Sequence, residues 1–235
     1  MKKLSHNEIM EGEPNGKEHI QMKVLIVGAN GQIGRLLISI LNEDGVHQVR
    51  AMVRNQEQAE ELKQSGTEAV LADLEGTVDH IAQAAKGCDA IVFTAGSGGK
   101  TGADKTLLID LDGAVKTIEA AEKAGIKRFI MVSTLQAHHR ENWNEALKPY
   151  YVAKHYADRI LEDSDLTYTI IRPGGLLNEP GTGKVKAAEN LDRVAIPRED
   201  VAKTIAAALT EEHTYRRSFD LTSGDTPVAE ALKAI

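Results

Sequence analysis

Residues 24–34 read Val-Leu-Ile-Val-Gly-Ala-Asn-Gly-Gln-Ile-Gly, and they constrain the chain more than any other stretch. Four apolar residues in a row, Val24 to Val27, fit a short strand buried on both faces. Gly28, Gly31 and Gly34 follow at three-residue spacing. Behind them Leu36, Leu37, Ile40 and Leu41 recur at helical spacing. The stretch therefore reads strand, glycine turn, helix, the context that separates a dinucleotide-binding turn from a chance glycine triplet. A helix start offers unpaired N–H groups and a partial positive charge, which suit a pyrophosphate. Side chains at the turn would block its approach, so glycines stand there. Asn30, Gln32 and Ile33 complete the expected cradle. The plainer alternative is an ordinary strand-to-helix turn.

The alternation continues along the chain. Residues 47–53, 68–72, 89–95, 128–133 and 166–171 read as strands, and helical patterns cover 55–64, 78–86, 107–124 and 149–163. A helix over 200–209, a short strand over 219–221 and a last helix over 228–234 follow. Short apolar strands separated by helices predict an α/β fold, a doubly wound parallel sheet with helices on both faces. Ligands then belong at the carboxyl ends of the strands. Residues 22–235 read as one domain, with a small C-terminal substrate region shaped by loops at about 135–148 and 174–195. Residues 1–21 are polar, carry Gly12, Pro14 and Gly16, and lack the apolar core of a secretory signal. They read as a flexible N-terminal extension, with Met22 placed as a natural start would be.

Composition narrows the partners. A net charge of −7 argues against nucleic acid. No apolar run approaches the roughly 20 residues of a membrane span. The single cysteine, Cys88, cannot form an intrachain disulfide, which fits a reducing, cytoplasmic setting. It reads as core filler rather than a nucleophile. A small-molecule substrate is the expected partner, and a homo-oligomer is compatible with this reading.

Several residues sit where cofactor chemistry would need them. Arg54 closes the second strand, about 20 residues after Gly34, where a carboxylate would bind the ribose of NAD and an arginine the 2′-phosphate of NADP. NADP is therefore the expected cofactor. Arg35 offers a second positive charge. Asp73 and Leu74, after the third strand, are placed to meet an adenine; the alternative for Asp73 is a turn cap. Thr94, Ala95 and Gly96 end the fourth strand and are small enough for a cofactor to cross. Tyr150 and Lys154 share a helix face one turn apart. A nearby ammonium favours a phenolate, and such a tyrosine exchanges protons with a carbonyl or hydroxyl. Tyr–Lys pairs at this spacing are common, and Tyr151 is also three residues from Lys154. Ser133 and Thr134 end the fifth strand, where a hydroxyl can polarise a substrate carbonyl. His138, His139 and Trp143 lie in the following loop; with no cysteine or Glu-x-x-His partner, the histidines do not predict a metal site.

Taken together these residues resemble the short-chain dehydrogenase/reductase superfamily. The likeness is strongest to its atypical NAD(P)-binding branch, the NmrA-like and NAD-dependent epimerase/dehydratase-like proteins. Its marks are the glycine turn at 28–34, Val-Arg at 53–54, Ala-Asp-Leu at 72–74, Val-Ser-Thr at 132–134 and Tyr-Tyr-Val-Ala-Lys at 150–154. Ile-Ile-Arg-Pro-Gly at 170–174 and Ile-Pro-Arg-Glu-Asp-Val-Ala at 196–202 extend them. The resemblance implies a Rossmann-type fold over about residues 22–225. It implies Tyr150 as acid/base, Lys154 as the group that positions it and the nicotinamide ribose, and Thr134 or Ser133 as the third member. Arg172, Pro173 and Gly174 would border the nicotinamide. The chain is too short for the large C-terminal substrate region of extended sugar-nucleotide epimerases. Two functions follow. The first is an NADP-dependent oxidoreductase on a small carbonyl or alcohol, with epimerase/dehydratase-like chemistry as a variant. The second is a non-catalytic, NADP-binding redox-sensing regulator.

Overall fold

The computed structural model describes residues 20–99 and 101–235. The extension expected over 1–21 lies, apart from its last two residues, outside the described residues. The first half follows the predicted alternation: β1 (Lys23–Val27), α1 (Gln32–Asp44), β2 (Gln48–Val53), α2 (Gln56–Gln64), β3 (Glu68–Leu71), α3 (Val78–Ala85) and β4 (Ala90–Phe93). Local chemistry sets the boundaries. Gly45 ends α1 in the left-handed conformation, at φ 67°. Asn55 caps α2 by accepting from the Gln58 N–H at 3.0 Å.

After β4 the chain turns into α4 (Ala103–Lys105), a π-helical stretch (Thr106–Asp112) and α5 (Gly113–Ala124). The sequence pattern reads as one regular helix over 107–124; the structure starts it earlier and widens its first part. Then come β5 (Arg128–Val132), α6 (Lys148–Glu162) and β6 (Thr167–Pro173). The expected loop at 174–195 holds two strands, β7 (Leu176–Leu177) and β8 (Lys184–Ala188). The chain closes with β9 (Ile196–Pro197), α7 (Arg198–Ala208), β10 (Arg217–Ser223), β11 (Thr226–Pro227) and α8 (Val228–Lys233).

The main sheet runs β11-β8-β10-β6-β5-β4-β1-β2-β3. From β3 to β10 all pairings are parallel; β8 and β11 add an antiparallel edge. β8 escapes a sequence reading because only Val185 of its five residues is fully buried. One hydrophobic layer joins the sheet to α1 and α7, the other joins it to α3, α5 and α6. This is the doubly wound Rossmann-like fold. Strand order reverses at β1, whose neighbours are β2 and β4, so the crevice opens above the carboxyl ends of β1 and β4. No helix among the described residues is long and apolar enough to cross a membrane.

Candidate active site

Two adjoining chambers of about 660 and 400 Å³ open at this reversal and share Gly31, Thr94, Ala95, Gly96, Ser97 and Thr101. The smaller is walled by Gly28, Asn30, Arg54, Ala72 and Leu74. The larger is walled by Gln32, Ile33, Ser133, Tyr150 and Lys154. Together they form one trough across the sheet, the shape a dinucleotide needs.

The trough tests well for a pyrophosphate. Gly28 adopts φ 90°, and a Cβ there would lie 2.5 Å from the Ala95 nitrogen, so the turn and β4 touch only because Gly28 is bare. Gly34 is likewise bare against the Gly28 carbonyl, which seats the start of α1. Of the three turn glycines, Gly31 is the one that faces both chambers. The first turn of α1 carries no acidic side chain and its N-cap supplies no side-chain bond, so its positive end is open to an anion.

At the adenosine end, Arg54 is exposed and lines the smaller chamber. Among the described residues no carboxylate pairs with it. Arg35 is different. Its guanidinium is held by both oxygens of Glu61, at 2.8 and 3.0 Å, and by the side chain of Asn30. The second phosphate-binding charge expected of Arg35 is therefore already committed to a carboxylate. Asp73 accepts from the Glu75 N–H at 2.9 Å, closing a turn just outside the wall, while buried Leu74 lines the chamber. The Thr94 hydroxyl donates to the Val27 carbonyl at 3.1 Å, tying β4 to β1.

At the other end α6 turns Tyr150 and Lys154 toward the chamber, with Ala157 and Leu161 fully buried further along the helix. The Lys154 Nζ sits 5.8 Å from the Tyr150 ring centre and donates to the Val132 carbonyl at 3.2 Å. It also faces Asp110 Oδ1 at 3.4 Å, both side chains being buried. Burial pushes the Lys154 pKa down, but Tyr150, Asp110 and Asp158 push it up harder, and the net shift is upward. For Tyr150 burial also leads, and it raises the phenol. Lys154 and a hydrogen bond with Thr134 pull the other way and are outweighed. The ammonium was expected to bring this phenol toward neutrality; desolvation wins, so in the free protein the hydroxyl is a protonated donor. Ser133 places a buried hydroxyl without a partner in the chamber wall.

Tyr151 faces elsewhere. It is buried, stacks on Trp143 with ring centres 5.9 Å apart, and accepts from Arg193 at 2.8 Å. Trp143 thus packs the 135–148 segment onto α6 and does not line either chamber. His138 and His139 share one acceptor, Asn190 Oδ1, at 2.9 and 2.6 Å. Among the described residues no group of three or more histidines, cysteines or acids is placed to hold a metal. Arg172 is buried away from the chambers, paired with Asp158 at 2.9 Å and Glu162 at 3.2 Å, so it braces α6 rather than bordering the trough. Pro173 ends β6 behind the wall and accepts from Leu135 at 2.9 Å. Cys88 is buried, and burial raises its thiol pKa, which makes it unreactive.

Sequence reasoning missed Asp110. Its signal is one acid inside the run Leu107-Leu108-Ile109-Asp110-Leu111, on a helix that packs against α6. The carboxylate accepts from the Ser97 N–H at 3.0 Å as well as facing Lys154, so it ties the loop after β4 to the lysine. π-helical segments frequently occur at functional sites, and this one carries Asp110.

Comparisons with known proteins give the family. Residues 28–212 match the NAD(P)H-binding family. A Bacillus subtilis protein named uncharacterized sugar epimerase YhfK is 69% identical over 91% of this chain and 100% of its own. The solved oxidoreductase ylbE from Lactococcus lactis superimposes with a TM-score of 0.82 at 37% identity, covering 91% of this chain and 96% of that one. ChuY, an anaerobillin reductase from Escherichia coli, superimposes at 0.76 and 27% identity, covering 86% and 98%. With the trough, the open helix start and this match over most of its length, the chain belongs to the NAD(P)H-binding family.

Proposed function

We propose that this protein is an NADP-dependent oxidoreductase of the short-chain dehydrogenase/reductase type, acting on a small carbonyl or alcohol. One observation carries the reading. Tyr150, Lys154 and the unpartnered Ser133 hydroxyl meet in one chamber, and that chamber opens directly into the one beside the glycine turn. The names of relatives, an uncharacterized sugar epimerase and an anaerobillin reductase, fit an epimerase- or reductase-like activity.

In this reading the turn from Gly28 to Gly34, with Asn30, Gln32 and Ile33, holds the pyrophosphate. Arg54 takes the 2′-phosphate, which makes NADP the preferred cofactor over NAD. Leu74 backs the adenine with Asp73 at its edge, and Thr94, Ala95 and Gly96 leave room for the crossing. Pro173 supports the nicotinamide end from behind. When bound, the cofactor supplies the hydride chemistry. The chain supplies the proton and the placement. Tyr150 donates its phenolic proton to the substrate oxygen, and Ser133 donates a hydrogen bond to that same oxygen. Thr134 orients the phenol. Lys154, kept charged by its anionic neighbours, steadies the phenolate left behind and holds the ribose hydroxyls. Epimerase-like chemistry would use the same groups. The working unit is residues 22–235, in a reducing, cytoplasmic setting that leaves Cys88 free.

The test is NADPH consumption against a panel of aldehydes, ketones and sugar-like carbonyls, run beside NADPH and NADH binding titrations. Turnover with NADPH supports the proposal. Tight NADPH binding with no turnover on any panel member would favour the non-catalytic regulator instead.

A further inference from the structure

The larger chamber carries a charge that the chemistry above does not use. Among the described residues three charged ones line it: Asp110, Lys154 and Arg198. The first two face each other at 3.4 Å and offset one another. Arg198, the first residue of α7, stands apart from them. Its Nη1 donates to Asn178 Oδ1 at 2.8 Å, a neutral acceptor. The acids beside it on α7 are engaged elsewhere. Glu199 pairs with Lys203 at 2.7 Å and accepts from the Gly181 N–H at 2.8 Å. Asp200 accepts from the Thr182 and Gly183 N–H groups at 2.9 and 2.7 Å. Among the described residues no carboxylate pairs with the Arg198 guanidinium. Most of its five donors are thus unmatched, at a chamber wall, in a protein of net charge −7.

The same chamber offers apolar surface. Leu147 and Leu176 are 51% and 37% exposed, and Pro149 continues their wall. An apolar face with one uncompensated, fork-shaped cation is the complement of a molecule with an apolar body and a carboxylate or phosphate end.

We infer that Arg198 binds the anionic end of the substrate, whose apolar body lies against Leu147 and Leu176 while its carbonyl reaches Tyr150. The inference rests on the oxidoreductase reading and adds the substrate class, an amphipathic anion. The other anion to consider is the cofactor's own pyrophosphate, because α7 packs beside α1. Two observations favour the substrate. The open start of α1 already offers the pyrophosphate its positive end, and Arg198, absent from the smaller chamber, shares the wall of the larger one with Leu147, Leu176 and Tyr150 as well as with Gly31, Gln32 and Ile33 of the turn.

Calorimetric titration of the full chain tests this, with and without saturating NADP. The probes are benzoate, phenyl phosphate and neutral benzamide. Wild type should bind at least one anion about 10- to 100-fold more tightly than benzamide, the range a charge-assisted hydrogen bond supports. Arg198→Gln should abolish that preference, Arg198→Lys should keep part of it, and NADP affinity should change by less than about twofold in both. Three results would overturn the assignment. One is no anion preference in wild type. Another is Arg198→Gln weakening NADP about tenfold while the anion preference stays, which would give the guanidinium to the pyrophosphate. The third is Arg198→Gln lowering only the melting temperature, which would reduce its role to pinning Asn178. Because the anion arms also run without cofactor, a protein that binds no NADP would sink the oxidoreductase reading separately. Loss of anion preference in Arg198→Gln would still stand.

Discussion

Asp110→Asn probes the buried charge pair on which the proposed site depends. Lys154 Nζ and Asp110 Oδ1 are 3.4 Å apart, with side chains 4% and 0% exposed. At that distance the attraction is about 5 kcal/mol for an effective dielectric of about 20. Much of it offsets the desolvation of the two groups, so the pair's net contribution is small. Removing one partner is another matter, because it leaves the other charge buried alone; we expect Asp110→Asn to cost about 3–5 kcal/mol. Lys154→Met should cost a similar amount. The double variant has no charge left to strand, so it should be more stable than the two single losses predict by at least about 2 kcal/mol. Urea unfolding of the four proteins at one pH measures this. The pH dependence adds a signature. The native Lys154 pKa is raised, so its contribution is fully present below the unfolded value, near 10.4, and is lost as pH rises through the folded value. The gap between wild type and Asp110→Asn should therefore narrow as the solution is taken above about pH 10. Additivity of the two single changes within about 0.5 kcal/mol, with a gap independent of pH, would refute the pairing argument.

Other expectations concern the cofactor end and proton delivery. Wild type should bind NADPH more tightly than NADH, and Arg54→Asp should reverse or erase that preference; equal affinities in wild type would contradict the role given to Arg54. Gly31→Val places a branched side chain where both chambers meet, so NADPH binding should be lost while circular dichroism stays native. Unchanged binding in a folded variant would move the phosphate site elsewhere. Since burial holds the Tyr150 phenol above its ordinary value, carbonyl reduction should be flat between about pH 6 and 9, and a fall centred near neutrality would contradict a protonated donor.

Much of this was legible in the sequence for definite reasons. The β1–turn–α1 unit is local, and its glycines, apolar run and helical stripe each report on neighbours in the chain. The same holds for the Tyr150–Lys154 spacing on α6. What stayed hidden depends on long-range pairing. β8 carries one fully buried residue and exists because β10 offers it an edge. Arg35 looks like a phosphate ligand until Glu61, 26 residues on, is brought to it. Arg172 sits in a motif near the site, yet Asp158 and Glu162 draw its side chain to α6. The choice between Tyr150 and Tyr151 needed Trp143 and Arg193, which claim Tyr151 from the far side. The direction of the Tyr150 shift was hidden because burial, which has no local sequence signature, outweighs the ammonium.

The central claim is that Tyr150 is the proton donor of an NADP-dependent reduction, and the comparison of Tyr150→Phe with Tyr151→Phe tests it most directly. Each change removes one hydroxyl. With a carbonyl that wild type reduces, single-turnover oxidation of bound NADPH should fall about 10²–10⁴-fold in Tyr150→Phe, with NADPH affinity nearly unchanged. Tyr151→Phe should turn over close to wild type, since its hydroxyl only meets Arg193. Full activity in Tyr150→Phe would contradict the account, and loss in Tyr151→Phe alone would assign the chemistry to the other tyrosine.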